Sequence, residues 1–148
     1  MIYYGDEIGM RGGNDPDNRR DFPGGWNSDP RNAFTKAGRT MEEQTIYERV
    51  QRLALLRRTT PALREGRMMQ LEADEQTYVY ARVQSERAII VAVNNSASPA
   101  DIKCDVHALG AIRNGSSEDL LGGTPSAEIS NGRFRIKMPG RTAGIYTY

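Results

Sequence analysis

The second half of the sequence consists of short runs of alternating side chains separated by turn residues, and this pattern constrains the fold more than any other feature. Residues 78–83, 102–106 and 133–138 each alternate apolar with polar, aromatic or charged side chains. Such alternation indicates strands with one face turned inward. About six to eight short strands, with no second helix, predict a mainly β fold, an antiparallel β-sandwich.

Other segments of this half indicate a central strand and two tight turns. Residues 88–93 read AIIVAV and are apolar on both faces, which predicts a strand in the middle of a sheet. Asn131-Gly132 lies between residues 127–129 and the strand at 133–138. This dipeptide is typical of a two-residue hairpin turn, because both turn positions need positive φ. Ser85-Glu86 predicts a similar turn.

The first 66 residues follow a different pattern, which predicts one short strand, a long irregular loop and one helix. The loop, residues 5–40, is rich in Gly, Pro, Asp, Asn and Arg and far exceeds the usual connection of about 4–6 residues. Thr40 to Glu43 has the Ser/Thr-x-x-Glu form of a capping box, which predicts a helix from about Met41. Pro61 should end that helix. We therefore predict two domains, 1–66 and 67–148.

Composition excludes several classes of function. Lys and Arg total 20 against 19 Asp and Glu, so no charge excess favours a nucleic-acid partner. No apolar run approaches the roughly 20 residues of a membrane span, and nothing at the start has the order of a signal peptide. Cys104 is the only cysteine, which excludes an internal disulfide and a thiolate metal site. We predict no cofactor, no nucleic-acid partner and no membrane partner.

One motif near the start indicates a family. The sequence reads Tyr3-Tyr4-Gly-Asp-Glu-Ile-Gly-Met10 and continues through Asp15-Pro-Asp-Asn-Arg19. This resembles the last strand and following loop of the (β/α)8 barrel in the α-amylase family of glycoside hydrolases. Residues 20–26, RDFPGGW, are similar to the neopullulanase and cyclomaltodextrinase branch. The order of strand, loop, helix and small β domain also fits this family over the whole chain.

The resemblance implies that the chain is the C-terminal piece of a larger enzyme. Its first part would be the remnant of the barrel, and its second part the β domain that follows the barrel. The parent would hydrolyse α-linked glucans, namely starch-derived oligosaccharides, pullulan or cyclodextrins, with retention of configuration. In this family the catalytic carboxylates follow earlier barrel strands, so we expect no catalytic residue in this chain and no activity from it alone. We assign no compartment to the parent.

Two residues of the motif are the candidate substrate contacts. The resemblance implies that Asp15 and Arg19 line the donor-side glucose subsites of the parent. A carboxylate and a guanidinium suit sugar hydroxyls, because they offer charge-assisted acceptors and donors. The alternative is that Asp15 and Arg19, which are four residues apart, pair with each other and hold the loop in shape. We favour sugar contact in the parent and mutual pairing in the isolated chain.

Neighbouring residues of the motif are considered for anchoring, sugar stacking and metal binding. Asp6 and Glu7 are expected to anchor the barrel mouth through hydrogen bonds. Phe22 and Trp26 could stack on sugars or anchor the loop by burial. Asp15 and Asp17 match the start of a calcium loop, but Arg19 and Trp26 stand where oxygen ligands are required. We therefore predict no metal site.

Two alternatives concern the β half and the helix. The β half could be an autonomous carbohydrate-binding module, using the pair Tyr78 and Tyr80 or the pair Tyr146 and Tyr148, or it could be purely structural, which we favour. The helix carries an apolar stripe of Ile46, Val50, Leu53 and Ala54, widened by Leu55 and Leu56. On the family interpretation this stripe evolved to face a barrel. It predicts self-association of the isolated chain.

Overall fold

The computed structural model of the chain describes residues 1–111 and 113–148. It contains two compact units, Met1–Leu56 and Arg57–Tyr148. The helices are α1 (Met41–Thr59) and α2 (Pro61–Glu65), and single 3-10 turns occur at Asp6–Ile8, Asp17–Arg19, Lys36–Gly38 and His107–Leu109. The strands are β1 (Arg67–Ala73), β2 (Thr77–Gln84), β3 (Arg87–Asn94), β4 (Ala100–Asp105), β5 (Gly115–Ser117), β6 (Ala127–Ser130), β7 (Arg133–Met138) and β8 (Thr142–Thr147).

The eight strands form two four-stranded antiparallel sheets, so the predicted mainly β class is confirmed. The strand order is β1-β2-β3-β8 in one sheet and β4-β7-β6-β5 in the other. Strand β3 is internal, as its apolar faces predicted. The shared core takes inward side chains from both sheets, and the rings of Phe134 and Tyr146 meet edge to face at 5.5 Å. The fold is therefore a β-sandwich with one main core.

Both predicted turns are present. Gln84 pairs with Arg87 across a two-residue turn in which Ser85 has φ 53°. Asn131 and Gly132 have φ values of 49° and 70° and join β6 to β7. Both turn positions of the second hairpin are therefore left-handed, as its Asn-Gly sequence indicated.

The helix begins as predicted, but two elements of the first half differ from expectation. Residues 1–5 form no strand, although one was predicted. A single strand needs a neighbour for its N–H and C=O groups, and no strand pairs with these residues in the described part of the chain. In addition, Pro61 ends α1 but also starts the short helix α2, because proline suits the first position of a helix.

Candidate functional site

Asp15 and Arg19, the predicted site residues, lie in the long loop and contact each other. Arg19 Nη2 is 3.0 Å from Asp15 Oδ1, and the two side chains are 76% and 63% exposed. Arg19 is the last residue of the single 3-10 turn Asp17–Arg19, and Asp15 lies two residues before that turn. The structure thus shows a solvent-exposed ion pair.

Arg20 and Asp17 form a stronger pair beside the first one. Arg20 Nε and Nη2 donate to the two carboxylate oxygens of Asp17, both at 2.6 Å. These hydrogen bonds hold the pKa of Asp17 below its usual value. The hydroxyl of Tyr4 also donates to the backbone oxygen of Arg20 at 3.3 Å. The bidentate pair fixes the chain next to Arg19, a contact that sequence reasoning did not assign.

The RDFPGGW segment places its two aromatic residues in different surroundings. Phe22 is half-buried and packs on Phe34, with ring centroids 4.5 Å apart. Trp26 is 64% exposed, and its indole Nε1 donates to Asp21 Oδ2 at 3.0 Å. Phe22 therefore matches the interpretation of loop anchoring by burial, whereas Trp26 does not.

The base of the loop is fastened to the start of α1. Arg31 donates to both oxygens of Glu43 at 2.7 Å and to the backbone oxygen of Gly38 at 3.0 Å. Glu43 also accepts from the Thr40 N–H at 2.9 Å, while Thr40 Oγ1 accepts from the Glu43 N–H at 3.2 Å. The predicted capping box is therefore present, and an arginine twelve residues away reinforces it.

We expect Glu43→Gln to loosen this base. The Arg31 hydrogen bond is the main cause that lowers the Glu43 pKa, so the ionised carboxylate stabilises the fold above its unfolded pKa of about 4.3 and loses that effect as pH falls through the folded value. Amide hydrogen exchange in the first turn of α1 should be several-fold faster in the variant at pH 7. The two proteins should converge as pH falls through the folded pKa of Glu43. Glu42→Gln, in the same turn, should change exchange little at either pH.

A cleft of about 640 Å³ lies in the same unit, between the start of the loop and α1. Arg11, Arg20 and Arg31 line it together with Glu42 and Glu43, whereas Asp15 and Arg19 do not. Arg20 and Arg31 are already paired with carboxylates. The cleft therefore offers little uncompensated charge to an ionic ligand.

Asp6 and Glu7 lie in the single 3-10 turn Asp6–Ile8. Asp6 Oδ2 accepts from the Tyr3 N–H at 2.8 Å, a local contact. Glu7 Oε2 is buried and has no hydrogen-bond partner among residues 1–111 and 113–148. Anchoring of a barrel mouth by these two residues stays a prediction for the parent enzyme.

Cys104 on β4 and His107 in the following 3-10 turn lie in different surroundings. The Cys104 thiol is buried in the sandwich core, and this burial raises its pKa to about 12. His107 is half exposed, with Nδ1 3.0 Å from Asp105 Oδ1. A protonated, buried thiol is a poor nucleophile, so these two residues form no catalytic pair.

No helix in the described residues is both long enough and apolar enough to cross a membrane.

Comparison with known proteins gives a family match over most of the β half. Residues 66–146 match the family described as Alpha-amylase C-terminal domain. A cyclomaltodextrinase from Geobacillus thermopakistaniensis is 35% identical over 111 residues, which are 74% of this chain and 17% of that protein. An amylopullulanase from Thermoanaerobacterium thermosulfurigenes is 31% identical over 150 residues, which are 93% of this chain and 7% of that protein.

Solved structures extend the match to the whole fold. A debranching enzyme from Nostoc punctiforme is 30% identical, with a TM-score of 0.68, covering 99% of this chain and 27% of that one. The likeness therefore includes the long loop and helix as well as the β-sandwich. The chain spans less than a fifth of the length of the two curated relatives, at 17% and 7%.

Proposed function

Because the chain belongs to the α-amylase family and carries its C-terminal domain, we propose that it is the C-terminal portion of a retaining enzyme that hydrolyses α-glucans. The named relatives are a cyclomaltodextrinase and an amylopullulanase, which supports cyclodextrins, pullulan and starch-derived oligosaccharides as the substrates. The main support is the order of the elements. The loop with Asp15 and Arg19, the helix α1 and the β-sandwich follow one another as they would at the end of such an enzyme.

In the whole enzyme, Asp15 and Arg19 would contact the sugar. Their ion pair is exposed, and an exposed pair of this kind contributes little to stability, so the fold does not require it. Hydrogen bonds from charged groups to sugar hydroxyls are worth about 1.5–3 kcal/mol each. The neighbouring Arg20–Asp17 and Arg31–Glu43 pairs would hold the loop in the shape that presents them.

Catalysis would depend on other parts of the enzyme. Retaining hydrolysis requires two carboxyl groups about 5–5.5 Å apart on a rigid support. The exposed carboxylates of the loop are committed to local partners instead, Asp15 to Arg19, Asp17 to Arg20 and Asp21 to Trp26. We therefore propose that the isolated chain is inactive.

A graft tests this function directly. The chain alone should release no reducing sugar from maltoheptaose, β-cyclodextrin or pullulan above a buffer control. A graft is then made in which this chain replaces the corresponding residues of the Geobacillus cyclomaltodextrinase. This chimaeric enzyme should hydrolyse the same substrates. Arg19→Ala in the graft should then lower kcat/KM about 10–100-fold, the loss of one charged hydrogen bond. Arg11→Ala, a matched arginine of the same loop, should leave kcat/KM unchanged.

Two results would contradict the proposal. Sugar release by the isolated chain, abolished by Asp15→Ala or Glu7→Ala, would require an active site within the chain. If the graft is active and its Arg19→Ala and Arg11→Ala variants have equal kcat/KM, Arg19 does not contact the substrate.

The β half is proposed to be structural, within domains divided at 1–66 and 67–148. Tyr146 and Tyr148 are buried in the core, so this pair offers no sugar-binding surface. Tyr78 and Tyr80 are half-buried, and their rings are tilted by 33° with centroids 5.6 Å apart. A flat, exposed stacking surface is therefore not formed by either pair, and an autonomous carbohydrate-binding role is not favoured.

The isolated chain is also proposed to self-associate through α1. Ile46 and Leu53 are exposed large apolar residues, and α1 has no buried residue. Burial of such side chains is worth about 1.5–3 kcal/mol each. Sedimentation velocity should show dimers or larger species that increase with concentration, and Val50→Glu should shift the population to monomer. Gln51→Glu, off the stripe, should not. A strict monomer at high concentration would refute this expectation.

A further inference from the structure

Trp26 combines a large apolar surface with unusual exposure. It is the only tryptophan of the chain, and 64% of it is accessible although it lies in a loop that buries Phe22 and Ala33 partly or wholly. Single exposed apolar residues are common and carry no meaning by themselves. A ring that the loop holds in one orientation is more significant, because it is fixed before a ligand arrives.

The loop tethers Trp26 at both its backbone and its indole. Asp29 Oδ2 accepts from the Trp26 N–H at 3.2 Å and from the Gly24 N–H at 2.7 Å, while Asp21 Oδ2 accepts from the indole Nε1 at 3.0 Å. Gly24 has φ 101°, and a Cβ on it would lie 2.7 Å from the α-carbon of Asn32. The turn before Trp26 is therefore tightly packed, and the polar edge of the ring is already satisfied.

Trp26 is 64% exposed, and its one polar ring atom is bonded to Asp21, so the side chain can offer a ligand mainly apolar ring surface. A ring fixed in advance loses little conformational entropy when a flat ligand stacks on it. A glucose unit is such a ligand, because the C–H groups on one face of the pyranose pack on an aromatic ring while its hydroxyl groups project from the edge. The exposed carboxylate of Asp21, bound to the ring edge, is placed to accept from one of those hydroxyls.

We propose that Trp26 is a stacking platform for one glucose unit of an α-glucan, oriented by Asp21 and Asp29. The proposal rests on the α-glucan function proposed above. It adds a sugar contact separate from the Asp15–Arg19 pair. This contact lies in residues 20–26, where the exposed ring of Trp26 does not contribute to the packing of the loop. Asp21 and Asp29 are positioning residues in this scheme, and Trp26 is the residue that touches the sugar.

The single tryptophan makes the test direct. Excitation at 295 nm of the 148-residue chain reports Trp26 alone, and titration with maltoheptaose should change its emission in a saturable manner, whereas sorbitol at equal mass should not. Saturation-transfer NMR on the sugar provides a second measurement that does not need the indole. Trp26→Ala should lower the affinity seen by NMR about tenfold or more. Asp21→Ala, which frees the indole, should lower it several-fold.

Two control variants separate this platform from the other candidate contacts. Tyr80→Ala, on the sandwich, should leave the sugar affinity unchanged. If maltoheptaose binds and Arg19→Ala abolishes binding while Trp26→Ala has no effect, the platform is refuted and the proposed function stands. If the emission does not change and no saturation transfer is seen, the platform is also refuted, and the graft experiment decides the function independently. Equal weakening by Tyr80→Ala would move the site to the β half.

Discussion

Replacing Asp119 with alanine should lower the free energy of unfolding of the β-sandwich by about 4 kcal/mol, a large part of the roughly 5–15 kcal/mol of a typical domain. Asp119 is only 8% exposed. Its carboxylate accepts from the backbone N–H groups of Leu121 at 3.1 Å, Gly123 at 2.8 Å, Thr124 at 3.1 Å and Ile145 at 3.0 Å. Alanine would leave these donors without the acceptor that joins the loop to β8.

The stability that Asp119 contributes should increase with pH. Burial opposes ionisation of Asp119, but the hydrogen bonds from Ile145, Gly123 and Leu121 outweigh it, so the pKa is lowered. A carboxyl whose pKa is lower in the folded state contributes stability above its unfolded value of about 3.9 and loses it as pH falls through the folded value. Asp119→Asn should therefore be destabilised at pH 5–8, and its deficit should shrink below about pH 4.

Urea denaturation followed by far-ultraviolet circular dichroism measures both effects. Asp101→Asn is the matched control, because Asp101 is exposed on β4 and pairs with Lys103 on the strand surface. Exposed pairs of this kind contribute about 0–1 kcal/mol, so the control should have nearly the wild-type midpoint. Equal midpoints for Asp119→Ala and Asp101→Asn would refute the role of the buried carboxylate.

The strands that sequence analysis located are those whose alternation agrees with burial. In β7, Phe134, Ile136 and Met138 are buried and their neighbours exposed. By contrast, β1 reads RMMQLEA, which lacks alternation and is rich in helix-forming residues. It is a strand because it pairs with β2, where Met69 lies opposite Ala81. Such pairing is a tertiary effect that a local pattern does not contain.

The same distinction applies to the candidate site. The Asp15–Arg19 pair was predictable because its members are four residues apart. The Arg31–Glu43 ion pair joins residues that are twelve apart. Which carboxylate Arg31 contacts depends on the path that the loop takes to the start of α1. Asp119 stands in a polar turn, EDLLGGT, where an aspartate commonly accepts from N–H groups a few residues ahead. Its bond to Ile145, 26 residues away, had no sequence signal.

Asn94→Asp should be as damaging as the loss of Asp119, although it changes one amide nitrogen to oxygen. Asn94 is 1% exposed. Its Nδ2 has two hydrogens, which it shares among the backbone oxygens of Ser98 at 2.9 Å, Met138 at 3.2 Å and Pro139 at 3.1 Å. An aspartate would place a buried negative charge against three carbonyl oxygens. We expect a loss of about 3–5 kcal/mol in the free energy of unfolding at pH 7.

The adjacent residue provides the control for this substitution. Asn95 is exposed and accepts from Arg141 Nη1 at 3.0 Å, so Asn95→Asp should be neutral or slightly stabilising. The pH profile gives a second criterion. Burial among carbonyl oxygens would raise the pKa of Asp at position 94 above its unfolded value of about 3.9, so its deficit should be smallest below that pH and grow as pH rises through the folded value. The deficit of Asp119→Asn also grows with pH, but it changes below the unfolded pKa of about 3.9, whereas the deficit of Asn94→Asp changes above it. A deficit at position 94 that does not change with pH would mean that geometry, and not the buried charge, causes the loss.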